Sequence, residues 1–77
     1  MLTVQAIDAA AAALEDEEGV PNQERGEFSN AVAHAYNLAV ERDPAVRERL
    51  EHDRDRMDPM MQKWFNRLME RVERLEE

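Results

Sequence analysis

The amino-acid sequence predicts an all-α fold, a small bundle of three to four helices in a single domain spanning residues 1–77, with a C-terminal heptad helix forming a dimer seam. Three observations predict it. Phe28 to Val40 is apolar around most of a helical circumference: Phe28, Val32, Ala35 and Ala39 fall at i, i+4, i+7 and i+11, and Ala31, Tyr36, Leu38 and Val40 widen the stripe. Met61, Phe65, Leu68, Val72 and Leu75 are spaced 4, 3, 4 and 3, which are d and a positions of a heptad. Asp43-Pro44 and Asp58-Pro59 each place a capping carboxylate before a proline suited to the first helical position.

The first helix is expected from a Thr3 cap to about Glu18. Val4, Ile7, Ala11 and Leu14 give it a narrow apolar stripe, and the alanine run from Ala9 to Ala13 favours helix throughout. Gly19 suits the left-handed residue that ends a helix, Val20 supplies the accompanying apolar contact, and Pro21 prevents continuation. The last turn then holds Glu15, Asp16, Glu17 and Glu18 at the end where the helix dipole already concentrates negative charge. Such a cluster is either a well-solvated helix end or a surface kept for a partner. Consecutive helical carboxylates point in different directions, so they do not make a calcium site.

A polar connection leads to the central helix, which begins at Asn22 or only near Glu27 and ends around Arg42. Its small residues 31, 33, 35 and 39 allow neighbours to approach closely. Glu27, Asn30, His34, Asn37 and Glu41 form a polar seam along it, read as a solvent-facing strip or, more sharply, as a site lined by Glu27, His34 and Glu41. Seven-residue spacing is about 10 Å of rise, so these three cannot share one metal without ligands from elsewhere. The third helix, from Asp43 to about Met57, is peripheral: Val46, Leu50 and Met57 give it one buried edge, and Asp43–Arg47, Glu51–Arg54 and Asp53–Arg56 are spaced to pair. Glu48 and His52 share a face there, read as solvated.

The last helix runs from Pro59 to about Glu76. Trp64 at g and Met69 at e broaden its seam, and Arg71 and Glu76 stand in the g-to-e′ relation of a parallel dimer. Met57, Met60, Met61 and Met69 surround Trp64 and Phe65, an adaptable apolar patch that serves as core, as dimer interface or as the seat of a partner helix.

Composition narrows the functional classes. The net charge is −8, and residues 1–41 hold eight acids against one base, whereas residues 42–77 hold ten against nine. A negative surface is repelled by phosphate, so direct nucleic-acid binding and docking on anionic lipid are disfavoured, and a partner with a basic groove is the complement. There is no cysteine, and the longest apolar run, Ala9 to Leu14, is far too short to span a bilayer. With no basic start of a signal peptide, a cytoplasmic protein is expected. Thr3 and Ser29 lie near helix starts without a paired base, Gly19 and Gly26 form no phosphate loop, and neither His-Glu-x-x-His nor Glu-x-x-His occurs.

These readings converge on a non-enzymatic, homodimeric protein-interaction module without cofactor: an adaptor, regulator or inhibitor that occludes a protein partner's basic or apolar groove. Its expected contact residues are Glu15, Asp16, Glu17, Glu18, Met57, Met60, Met61, Trp64, Phe65 and Met69. One alternative is an acidic mimic of nucleic acid, in which Asp8, Glu15 to Glu18, Glu24 and Glu27 engage the basic groove of a DNA- or RNA-binding protein. Another is a metal-binding bundle that uses His34 with Glu27 or Glu41.

Overall fold

Three of the four helices start at a side chain that caps them. The structure, a computed structural model, describes residues 2–76, with only the backbone of Glu76. The Thr3 hydroxyl accepts the Ala6 N–H at 3.0 Å and opens α1, Val4–Glu17. At the other end the Glu18 and Gly19 N–H groups both donate to the Leu14 carbonyl at 3.0 Å, and Gly19 takes φ 76°, a conformation that side chains disfavour.

A 3₁₀ turn, Asn22–Glu24, leads into α2, Arg25–Val40. The buried residues of α2 are Phe28, Ala31, Ala35 and Leu38, so its most buried line is rotated from the expected one. Val32 and Ala39 lie only partly buried beside it, and Val40 is 62% exposed. The rotation follows from packing: α2 is flanked by all three other helices, and its alanines at 0% exposure mark the closest approaches.

The Asp43 carboxylate accepts the Ala45 N–H at 3.0 Å and starts α3, Pro44–Asp53, which continues as a 3₁₀ turn, Arg54–Arg56. None of these residues is fully buried. Among the described residues two of the three expected ion pairs along this stretch, Asp43–Arg47 and Glu51–Arg54, are replaced. Asp43 is engaged as the cap, Arg47 turns to Glu51 at 3.4 Å and to the Leu38 carbonyl at 3.3 Å, and Arg54 donates to the Asn66 amide oxygen at 2.6 Å. Asp58 then accepts the Met60 N–H at 3.1 Å and opens α4, Pro59–Glu76.

The core is one cluster drawn from three helices: Ile7, Ala10 and Leu14 of α1, the four buried residues of α2, and Trp64, Phe65, Leu68 and Val72 of α4. α4 packs against both α1 and α2, while α3 lies on α2 outside this core. Three of the five heptad positions, Phe65, Leu68 and Val72, are therefore covered by their own chain at 2%, 0% and 3% exposure. Leu75, the last, is 51% exposed. The Arg71–Glu76 relation lies outside the described side chains. Among the described residues no helix is long and apolar enough to cross a membrane.

Candidate functional site

Trp64 is held from every side. The indole is 1% exposed; the Phe28 ring meets it edge-on with centroids 5.4 Å apart, and the Lys63 ammonium and Arg67 guanidinium lie over it at 5.1 and 5.2 Å. Its Nε1–H donates to Glu24 Oε1 at 2.8 Å, and the Lys63 ammonium donates to the same oxygen at 2.7 Å. A buried indole N–H without a partner would be costly, and the short turn before α2 supplies one. The Lys63 hydrogen bond, then the Trp64 hydrogen bond, hold the Glu24 carboxyl below its ordinary value. Trp64 and Phe65 thus serve the interior of this chain, while Met57, Met60, Met61 and Met69 lie half-buried against that core.

Three of the four clustered carboxylates at the end of α1 are met by arginines. Glu15 pairs with Arg25 at 2.8 Å, Glu17 with Arg71 at 2.7 Å and Glu18 with Arg67 at 3.4 Å. Cations from α2 and α4 therefore offset the like-charge repulsion and the unfavourable dipole end. These pairs are largely exposed, which limits each to about 0.2–1 kcal/mol. Asp16 is exposed beside them. Two turns earlier on α1, the Tyr36 hydroxyl donates to the Asp8 carboxylate, which raises the Tyr36 phenol above its ordinary value, with burial adding to the effect.

The polar seam of α2 does not assemble a ligand set. His34 donates from Nε2 to the Leu50 carbonyl at 3.0 Å and meets the Phe65 ring edge-on at 5.3 Å. That carbonyl lies in the last turn of α3, where the Arg54 N–H turns to Glu51 and His52 instead, so His34 caps a helix end. Glu41 is engaged by the Asp43 N–H at 2.9 Å. Among the described residues no three of His, Cys, Asp or Glu come together as a metal group would require.

What the fold does leave open is a cleft of about 370 Å³ between α3 and α4, at the small end of the roughly 300–1,000 Å³ typical of ligand pockets. Its apolar floor is Leu2, Leu38, Phe65 and Met69; its charged rim is Arg47, Glu51, Arg54 and Glu73. The walls have a helical logic: residues 47, 51 and 54 recur at one turn's spacing along α3 and its 3₁₀ extension, and residues 65, 69 and 73 do so along α4. Arg54 also lies over the Phe65 ring at 5.8 Å. Phe65 and Met69 are among the contact residues expected from sequence. Arg47, Glu51, Arg54 and Glu73 were not among them, because the 4-and-3 spacing of 47, 51 and 54 is equally that of a solvated helix face.

The site thus belongs to a small all-α bundle with an amphipathic groove. No protein-family model, curated protein or solved structure matches the chain, so the groove is read from its own geometry.

Proposed function

We propose that this chain is a non-enzymatic protein-interaction module that receives a segment of a protein partner in the cleft between α3 and α4 and thereby occludes that partner's surface. The observation that carries the reading is the combination of an apolar floor with a rim of four charged side chains. Binding sites for segments of other proteins combine an apolar centre that supplies affinity with polar edges that fix orientation. The three arginine pairs along Glu15, Glu17 and Glu18 support this reading over a nucleic-acid mimic, since those carboxylates already have cations beside them.

Site-directed photocrosslinking in cells that make the protein tests it. A photoreactive side chain at Glu51, on the cleft rim, is expected to trap one protein species that Met69→Lys abolishes. The same group at Ala12, exposed on α1, should not trap that species. Equal trapping from both positions, or an adduct indifferent to Met69→Lys, contradicts the proposal. Loss of the adduct on neutralising Glu15, Glu17 and Glu18 together, with Met69→Lys silent, would favour the acidic mimic instead.

A further inference from the structure

We infer that α3 is a lid over the cleft, pivoting on the contact between Arg54 and Asn66 toward α4 until Arg47 pairs with Glu73. Where a partner segment fills the cleft, as proposed above, closure competes with it; that consequence alone rests on the proposal.

The register of the two helices comes first. Only Met57 and Asp58 separate the 3₁₀ turn Arg54–Arg56 from α4, so the chain reverses there and the helices leave the junction side by side. Positions 47, 51 and 54 are four and three apart, and so are 73, 69 and 66 read back along α4. Two helices that run oppositely with the same rise keep such positions opposite one another. Arg54 therefore stands across from Asn66, Glu51 from Met69, and Arg47 from Glu73. The first of these rungs is closed: the Arg54 guanidinium donates to Asn66 Oδ1 at 2.6 Å, and Gln62 Nε2 donates to the Arg54 carbonyl at 3.5 Å. The residues of the other two line the open cleft.

The contacts of α3 weaken away from the closed rung. His34 holds the Leu50 carbonyl at 3.0 Å, one turn from Arg54. Arg47, two turns away, makes longer contacts, to Glu51 at 3.4 Å and to the Leu38 carbonyl at 3.3 Å. Beyond it lies the link from α2, residues 41–43, which is not helical and in which Glu41 and Asp43 are extended. No side chain of α3 is fully buried, so swinging this end disturbs no core packing.

Two effects favour closure. It covers the half-buried Leu2 and Met69, part of an apolar floor that faces water while the cleft is open. It also moves the Arg47 side chain, 44% exposed, from Glu51 to Glu73 as water leaves the cleft, and a pair less exposed to water is less screened.

The chain has no cysteine, so two introduced ones carry spin labels without interference: Ala45→Cys at the moving end of α3 and Arg74→Cys on α4. Pulsed electron resonance on the doubly labelled protein is expected to show two distances, the shorter from the closed form. Glu73→Gln should lower the shorter population by at least about twofold, as should high salt, and Arg47→Glu combined with Glu73→Arg should restore it. All four positions are exposed, which keeps these variants compatible with folding. A single distance, a shorter one indifferent to Glu73→Gln, or one that the charge exchange fails to restore overturns the lid. The partner proposal is decided separately by the Glu51 adduct. Two distances without that adduct support a lid that has no partner, and the adduct with a single distance leaves a rigid docking cleft and no lid.

Discussion

Glu24 and Trp64 are joined across 40 positions of sequence by a single hydrogen bond of 2.8 Å from indole to carboxylate, and the same oxygen takes the Lys63 ammonium at 2.7 Å. The contact ties the turn before α2 to the middle of α4. Because it lowers the Glu24 carboxyl from its ordinary value of 4.5, its stabilising contribution is fully present above that pH and is lost as pH falls through the lower folded value. Glu24→Gln should therefore be less stable than wild type at pH 7, and the difference should shrink steadily below pH 4.5. Urea melts from neutral to acid pH measure this, and a difference that stays constant contradicts it.

The acidic end of α1 should show unequal ion pairs. Arg71 is 17% exposed in its side chain and lies 2.7 Å from Glu17, whereas Arg67 is 44% exposed and 3.4 Å from Glu18. Double-mutant cycles should give about 0.5–1 kcal/mol of coupling for Glu17–Arg71 and close to zero for Glu18–Arg67, with the former reduced in high salt. Equal couplings would show that exposure does not govern them.

α3 should open before the rest of the molecule. It contributes no fully buried side chain; apart from the half-buried Leu50 against the core, it and its 3₁₀ extension are tied to the body by polar contacts: His34 on the Leu50 carbonyl, Arg47 on the Leu38 carbonyl and Arg54 on Asn66. Hydrogen exchange is expected to be faster in α3 than in α1, α2 or α4. His34→Ala should accelerate it further while leaving α1 unchanged. Uniform acceleration along the chain would instead make His34 a contributor to global stability.

The two glycines should respond in opposite directions. At Gly19, φ 76° makes alanine strained although no atom lies within 4 Å of the added methyl, so Gly19→Ala should cost about 1–2 kcal/mol. Gly26 lies in the first turn of α2, exposed and with nothing within 4 Å, so Gly26→Ala should gain about 0.4–1 kcal/mol by restricting the unfolded chain. Denaturant midpoints measure both changes.

Helix boundaries were the most legible part of the fold because their causes are local. The Thr3 cap, the Gly19 stop and the two Asp-Pro starts each act over a few residues, and α1, α3 and α4 begin where those residues put them, whereas α2 starts at Arg25 without a capping side chain. Helix orientation was less legible. Period alone states that Phe65, Leu68 and Val72 share a face, and the packing of α1 and α2 decides what covers it. His34 read as part of a polar strip because its partner is a backbone carbonyl 16 residues away, and a backbone acceptor leaves no mark in the sequence. The acidic cluster looked unopposed for the same reason, its cations lying on α2 and α4. The cleft itself arises where α3 fails to fill the space beside α4, a property of packing that no single segment encodes.

The account rests on Trp64 and its neighbours on α4 being committed to the interior of one chain, which leaves the α3–α4 cleft to a partner. The direct test is the emission maximum and acrylamide quenching of the chain's one tryptophan, followed together with native mass from high to low protein concentration. The predicted result is a blue-shifted, poorly quenched Trp64 at every concentration, whatever the mass. A tryptophan that becomes quenchable as the protein is diluted to monomer would place it at an interface between chains and contradict the account.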